Sequence, residues 1–385
     1  MFDISNVFFS KIQDNRSSKK SIALFSPAGD KKMLELFVSI IKKQSFKDFD
    51  VLLIYPKGAE FFNDDSLSII NAEEKLPLGT SGCFFAGQVF LYQQGYDIII
   101  NVDLDAIPST PDLLSNLISK AIEKKIVCVP LSASEEKIIP GRFIINHYGA
   151  FPRSVFDNIG FVTPYFWRGA EDWDMAQRLQ KHNLIEVVNS LHILHPLPAS
   201  SVYHKLVSRK KYYPYLSSLM KAFLLQGGVK NIFKYICWYS FYAFFSNVFS
   251  DQELRDSINY SSSFKLLDKI SEKPFLVIES SGSKSGFEQG YIGRLISNVK
   301  VFAGLVASGK GSLGSDTFSL PSGARTGFIL RSLFSIIICP LYPLESLVHI
   351  AIWQSQKDKI IYPVKPSNLE ESVSIYLNYL RNKSL

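Results

Sequence analysis

Tyr96-Asp97-Ile98-Ile99-Ile100-Asn101-Val102-Asp103-Leu104-Asp105 is the stretch whose reading decides the fold. Asp97–Val102 is an almost continuous apolar run, the pattern of a strand covered on both faces. It runs into two aspartates one residue apart. The carboxyl end of a strand is where open α/β sheets receive ligands. In an extended segment residues i and i+2 point the same way, so Asp103 and Asp105 make half of a hard-cation site. Mg²⁺ or Mn²⁺ in such sites pairs carboxylate oxygens with a ligand's phosphates. The plainer alternative is two exposed aspartates that only end a strand, and a D-x-D alone does not separate the two.

The flanking sequence places this strand in an alternating chain. Ser21–Ser26 reads as a short apolar strand, and Pro27-Ala28-Gly29-Asp30 as a loop with helix-start chemistry. Met33, Leu34, Phe37, Ile40 and Ile41 follow at helical spacing. Asp50–Tyr55 is a second strand closed by Pro56-Lys57-Gly58, and Gly82–Gly95 a helix stopped by glycine. After the aspartates, Leu113, Leu114, Leu117, Ile118, Ala121 and Ile122 mark an amphipathic helix, with Ile126–Val129 as the next strand. Strands alternating with helices predict an α/β fold with a mostly parallel sheet and right-handed crossovers.

From Lys20 to His204 this order resembles the family 2 glycosyltransferases, which have the Rossmann-like GT-A fold. Ser39-Ile40-Ile41-Lys42-Lys43-Gln44 resembles the end of that family's first helix, and Asp103-Leu104-Asp105 falls where the family has its metal-binding D-x-D. Gly149-Ala150-Phe151-Pro152-Arg153-Ser154-Val155-Phe156 then leads through Gly160-Phe161 to Trp167-Arg168-Gly169-Ala170-Glu171-Asp172-Trp173-Asp174. That segment looks like the family's acceptor segment, whose Glu-Asp pair opens a helix and whose aspartate is the usual base. The resemblance implies a nucleotide-sugar donor contacted by Pro27, Ala28, Gly79, Ser81 and Leu104. It implies a glycan or lipid-linked acceptor near Trp167, Arg168, Gly169 and Glu171, Asp172 as catalytic base, and Mn²⁺ or Mg²⁺ at Asp103 and Asp105. It also implies hexosyl transfer with inversion.

Two places depart from the family pattern. The second strand ends in Tyr55-Pro56-Lys57-Gly58 where an aspartate pair usually meets the nucleobase, and Asp64-Asp65 come late. Gly79-Thr80-Ser81-Gly82-Cys83 replaces the usual Ala-Arg-Asn before the next helix. Both departures bear on which nucleotide is taken.

The residues carry a chemistry of their own. Glycosyl transfer needs a stabilised leaving group, which a cation on the diphosphate supplies, and a hydroxyl made nucleophilic, which a carboxylate within reach supplies. Glu171, Asp172 and Asp174 open a helix continued by Met175, Ala176 and Leu179. Acidic residues at such a position also stabilise the helix by about 0.3–1 kcal/mol each, so some of the three serve only as a helix start. Of six histidines, His147, His182, His204 and His349 show no ligand spacing and read as surface or core residues. His192 and His195 lie in a strand-like LHILHPLP run. The resemblance matches His195 to a histidine that completes the cation site in many metal-dependent members. A structural hydrogen bond is its alternative role.

Four cysteines without a C-x-x-C suggest neither zinc nor a disulfide framework and favour a reducing compartment. Residues 1–20 read as an N-terminal extension without the charged start and apolar core of a signal peptide. Catalytic residues are expected within 21–205, a basic and aromatic helical segment over 206–260 and a further region over 261–385.

The chain carries 42 Lys and Arg against 35 Asp and Glu, a net +7. No acidic residue lies between Glu186 and Asp251, an interval holding Lys205, Arg209, Lys210, Lys211, Lys221, Lys230 and Lys234. Aromatic residues interleave with them. Stacking on nucleic acid can look like this, but Asn231–Phe249 is apolar nearly all round a helix, too apolar for a wet groove. An interfacial membrane helix fits better, with a homo-oligomer interface or a buried helix as alternatives. Lys211–Tyr215 resembles the Tyr-Tyr segment of rhamnosyl- and galactofuranosyl-transferase-like members, without its following Arg-Asn.

Beyond Ser261 nothing resembles a known motif. Pro274–Glu279 reads as a strand, and Ser280–Gly286 and Gly304–Gly327 as Gly/Ser-rich loops. The near P-loop at Gly304–Gly311 lacks the Mg²⁺-binding hydroxyl and a following helix. Phe328–Trp353 is strongly apolar but interrupted by Pro340 and Pro343, short of the roughly 20 apolar residues of a clean span. Two short helices lying in a membrane surface are expected.

The reading is a metal-dependent glycosyltransferase held peripherally at the cytoplasmic face of a membrane, with no nucleic-acid partner. A nucleotide-sugar pyrophosphorylase would want a glycine- and base-rich first loop, and Ser26–Lys32 has one glycine. A non-catalytic glycan-binding scaffold draws support from the altered nucleobase loops, against the intact Asp103, Asp105 and Asp172.

Overall fold

The computed structural model describes residues 3–134, 137–138, 143–167, 169–194, 209–227, 229–248, 302–308, 310–313, 316–319, 324–357 and 359–383. A short helix α1 (Ser5–Phe8) and strand β1 (Phe9–Asp14) come first, then β2 (Ile22–Pro27), α2 (Lys31–Ile41), β3 (Asp50–Tyr55), β4 (Ile69–Glu74), α3 (Gly79–Gln93) and β5 (Ile98–Val102). β6 (Ile107–Pro108), α4 (Leu113–Lys124), β7 (Val127–Ser134), β8 (Lys137–Ile138), β9 (His147–Pro152), α5 (Arg153–Ile159), α6 (Glu171–Lys181) and β10 (Ile185–Leu194) complete the first half.

These strands form one ten-stranded sheet in the order β1-β4-β3-β2-β5-β9-β7-β10-β6, with β8 on β7. β4, β3, β2 and β5 are parallel neighbours, as expected of the alternating first half. The sheet is nevertheless mixed rather than mostly parallel. β9 enters antiparallel between β5 and β7, β1 runs antiparallel along β4, and only β10 and β7 restore a parallel pair. β3 and β5 are buried at every position, which is why they read as unbroken apolar runs.

Two cores lie on the two faces. One packs α2 and α4 through Leu34, Phe37, Leu114 and Leu117 onto Leu24, Val51 and Ile100. The other joins α3, α5 and α6 to the opposite face through Phe25, Phe84, Val155 and Met175. α3 has apolar residues all round and is buried along Ser81–Leu91, as a helix covered on both sides must be.

The second half is helical: α7 (Arg209–Gln226), α8 (Val229–Val248), α9 (Ala324–Ile338), α10 (Leu341–Lys357) and α11 (Leu369–Lys383). The expected loop over Gly304–Gly327 is replaced in part. Residues 302–308 are helical, and β11 (Lys310–Leu313) pairs with β12 (Asp316–Ser319) as an antiparallel hairpin. Gly311 lies within β11. α9 and α10 are the two expected helices, bent by 62° at a break that holds Pro340. No single described helix is long and apolar enough to cross a membrane. α11 returns to the first half: Val373, Tyr376 and Leu380 are buried in the core of α3. The expected strand Pro274–Glu279 and loop Ser280–Gly286 lie outside the described residues.

Candidate active site

The site lies at the carboxyl ends of β2, β3 and β5. Pro27 ends β2, and the Ala28 N–H donates to the Ile54 carbonyl at 2.7 Å, which fixes the first loop to the end of β3. Asp30 caps α2 by accepting the Met33 N–H at 3.0 Å, as its sequence context indicated.

β5 stops at Val102, and the aspartates stand in a turn rather than an extended segment: the Ala106 N–H donates to the Asp103 carbonyl at 2.9 Å. Leu104, between them, is turned into the core, so only its backbone is left to meet a donor. Asp103 is half-buried, with 31% of its side chain exposed, so water still reaches the carboxylate. Burial pushes that carboxyl well above the ordinary aspartate range, and the negative charges of Asp105, Glu171 and Asp172 add to the shift in that order. The carboxylates of the β5 turn and of the start of α6 therefore lie within electrostatic reach of Asp103. The sequence placed these two motifs 66 positions apart, counting Asp105 to Glu171, and the fold brings them together.

α6 enters through strained backbone. Gly169 and Ala170 both have left-handed φ, 76° and 72°. For Ala170 that costs about 1–2 kcal/mol, a strain of the kind that collects at functional sites. Glu171 and Asp172 occupy the first turn, and Asp172 accepts the Trp173 N–H at 2.7 Å. Asp174 faces the other way and is fully buried. It accepts from Thr163 at 2.7 Å, Arg178 at 3.0 Å, Gln226 at 2.6 Å and Tyr362 at 2.7 Å. Such saturation makes Asp174 a structural node and removes it from the candidate bases.

Gly79 and Ser81, read as loop residues, form the first turn of α3. A Cβ on Gly79 would stand 2.4 Å from the Trp167 carbonyl, so the expected donor and acceptor segments touch there. Ser81 is buried and its hydroxyl donates to the Pro164 carbonyl at 3.5 Å, a tie between those segments rather than a group facing the cleft. Trp167 is half-buried against the core. Arg168 and His195 lie outside the described residues. His192 is half-buried with its pKa lowered, first by burial, and its carbonyl accepts the Ser109 N–H.

Four residues of the site escaped the sequence reading. His147 is 1% exposed, with Nε2 3.7 Å from Asp103 Oδ2 and Nδ1 3.3 Å from Ser132 Oγ. Gln88, Asn101 and Asn146 form a buried amide relay. Gln88 accepts the Val162 N–H at 2.8 Å and donates to Asn101 at 3.3 Å; Asn101 donates to Asn146 at 3.3 Å. The Asn146 carbonyl accepts the Asp103 N–H at 2.7 Å. The relay thus ties the aspartate turn to the loop that leads into α6. The pairing of β9 with β5, which sets His147 opposite Val102, brings His147 and the preceding Asn146 beside the aspartate turn, while Asn101 lies on β5 and Gln88 on α3. Nothing local in the sequence announces it.

Asp103 and Asp105 supply the hard oxygen donors that Mg²⁺ or Mn²⁺ prefers, in a cleft crowded with negative charge. Among the described residues no three His, Cys, Asp or Glu side chains are disposed to hold a metal by themselves. A cation here would complete its shell with ligand oxygens and water.

No protein-family model matches the chain, and no curated protein does. Among solved structures it is similar to S. aureus TarS 1-349, at 12% identity and a TM-score of 0.35, covering 66% of this chain and 92% of that one. It is also similar to glucosyl-3-phosphoglycerate synthase from Mycobacterium tuberculosis in complex with Mn²⁺ and UDP-glucose. The identity there is 14% and the TM-score 0.33, over 53% of this chain and 79% of that one. Likenesses this loose carry neither activity nor residue roles across.

Proposed function

We propose that the protein is a metal-dependent, inverting glycosyltransferase that moves a hexosyl group from a nucleotide-sugar to a glycan or lipid-linked acceptor. The observation that carries this reading is that Asp105, Glu171 and Asp172 all lie within electrostatic reach of Asp103 at the carboxyl end of β5. The resemblance of the quoted motifs to family 2 enzymes supports it. A divalent cation on Asp103 and Asp105 would neutralise charge developing on the leaving diphosphate.

Asp172 takes the proton of the acceptor hydroxyl as its oxygen attacks the anomeric carbon. The bond from that carbon to the nucleotide's oxygen breaks on the opposite face, and the electron pair leaves with the diphosphate, so one displacement inverts the centre. Glu171, Trp167 and Gly169 flank the acceptor. Pro27 and Ala28 and the backbone at Gly79 and Leu104 border the donor. The reading places the enzyme at the cytoplasmic face of a membrane, as a peripheral or monotopic protein.

Nucleotide release from UDP-, GDP- and dTDP-sugars with Mn²⁺ tests it. Release by the wild type that is lost in Asp103→Asn and Asp105→Asn is the expected result. Full release by either variant in metal-free buffer overturns the cation assignment. Nucleotide binding without turnover of any donor would favour the non-catalytic glycan-binding scaffold instead.

A further inference from the structure

Of the 14 exposed large apolar residues in the described structure, ten lie on α9 and α10 and two more, Val229 and Phe233, at the start of α8. On α9 they fall at Leu330, Leu333, Phe334 and Ile337, the i, i+3, i+4, i+7 spacing of one helical stripe. On α10, Leu341, Leu344, Val348 and Ile352 continue the stripe beyond the bend.

The inward side is the unusual one. Ser332, Ser335 and Ser346 are buried where the helices pack against their neighbours. Two of them give their hydroxyls to their own helix, at the Phe328 and Pro343 carbonyls. A surface helix of a water-soluble protein buries its large apolar residues and shows its small polar ones. Here the small residues share the helix contact with Phe328, Tyr342, Ile350 and Trp353, while ten other large apolar residues face out. Helices packed within lipid use small residues at their contacts in this way.

Charge decides between lipid and a second copy of the chain. Glu345, exposed, is the one carboxylate on α9 and α10, against Arg325 and Arg331 on α9. Lys230 and Lys234 are exposed beside Val229 and Phe233, in the interval without acidic residues. Two like copies would set those lysines against each other, whereas an anionic surface attracts them.

We propose that the outward face of α9 and α10 seats in one leaflet of an anionic bilayer, with Lys230 and Lys234 at the headgroups and the α9–α10 bend inserted. Neither helix alone is long and apolar enough to cross a membrane; the pair, bent by 62°, has the length and composition of a broken span or a re-entrant loop, and the outward stripe on both arms favours seating from one side. This stands independently of the glycosyl-transfer reading.

Flotation of the full chain with phosphatidylcholine vesicles, with and without a minority of phosphatidylglycerol, tests it. The protein should float with anionic vesicles at low salt and be released only partly by high salt. Lys230→Gln with Lys234→Gln should weaken partition by about 30-fold, on the basis of each basic residue near the surface. Phe334→Asp with Ile337→Asp should weaken it by at least about 100-fold with an unchanged melting temperature, since both side chains are already exposed.

A second measurement needs no core substitution. Cys339 is exposed at the bend, and an environment-sensitive fluorophore on it should shift to the blue on vesicle addition and be quenched by spin-labelled lipid. A soluble protein at low salt with an unshifted label overturns the proposal. If Phe334→Asp with Ile337→Asp then dissociates a dimer, the face is an interface between copies. Equal flotation of that variant and the wild type also overturns it.

Discussion

At the residue scale, the three acidic residues at the start of α6 look alike in sequence and divide sharply in the fold. Asp172→Asn keeps the shape of the side chain but cannot take a proton. Turnover should fall by about 10²–10⁴-fold with donor affinity nearly unchanged, as single-turnover and equilibrium binding measurements with the donor would show. Weakened donor affinity at unchanged turnover would move the base to Glu171. Asp174→Ala is a different experiment. It strands Arg178 in the core, and removing one partner of a buried pair costs about 3–5 kcal/mol, so the urea midpoint should drop while any activity of the folded fraction persists. The aspartates of the β5 turn were legible because the unbroken strand before them marks the sheet's carboxyl edge. The division of labour within Glu171, Asp172 and Asp174 was not. It is set by Thr163, Gln226 and Tyr362, the last of which stands 188 positions from Asp174.

At the element scale, what was legible followed burial. β3, β5 and the amphipathic helices α2 and α4 announce themselves by apolar pattern. β1 is a mostly exposed edge strand with polar outward residues, β4 turns polar at Glu73-Glu74, and β9 holds Gly149 and Pro152, which read as breakers. β9 is nonetheless a strand that makes the sheet mixed, and it sets His147 and the preceding Asn146, the last amide of the relay, beside the aspartate turn. Gln88→Met matches the shape of glutamine and removes both its hydrogen bonds. Each buried group left unpaired costs on the order of 1–3 kcal/mol. If the relay couples the aspartate turn to the loop before α6, hydrogen exchange should quicken about tenfold or more over both 101–105 and 160–163. Faster exchange confined to 160–163 would show that Gln88 serves only its own contact. The readout does not depend on activity.

At the scale of the whole molecule, the sequence divided the chain into a catalytic half and a separate C-terminal region, and the fold joins them. α11 lies in the core beside α3, where a Cβ on Gly82 would stand 2.3 Å from the Tyr376 hydroxyl. Gly82→Ala should therefore displace Tyr376 and cost about 1–3 kcal/mol, the range for overpacking a filled core. The paired substitution Gly82→Ala with Tyr376→Phe should recover part of it in chemical denaturation. Removal of 369–383 should abolish cooperative unfolding of the sheet half, followed by circular dichroism, rather than release an intact catalytic module. No local pattern reveals this, because the partner of α11 in the core lies about three hundred positions earlier. The same closure sets a timetable for synthesis. At roughly 5–20 residues per second, the ribosome needs on the order of 10–35 s to travel from Leu194 to Leu369. Through that interval the nascent sheet stands with its α11 berth open and Asp174 lacking Tyr362, a long exposure in which chaperones have the first claim on the chain.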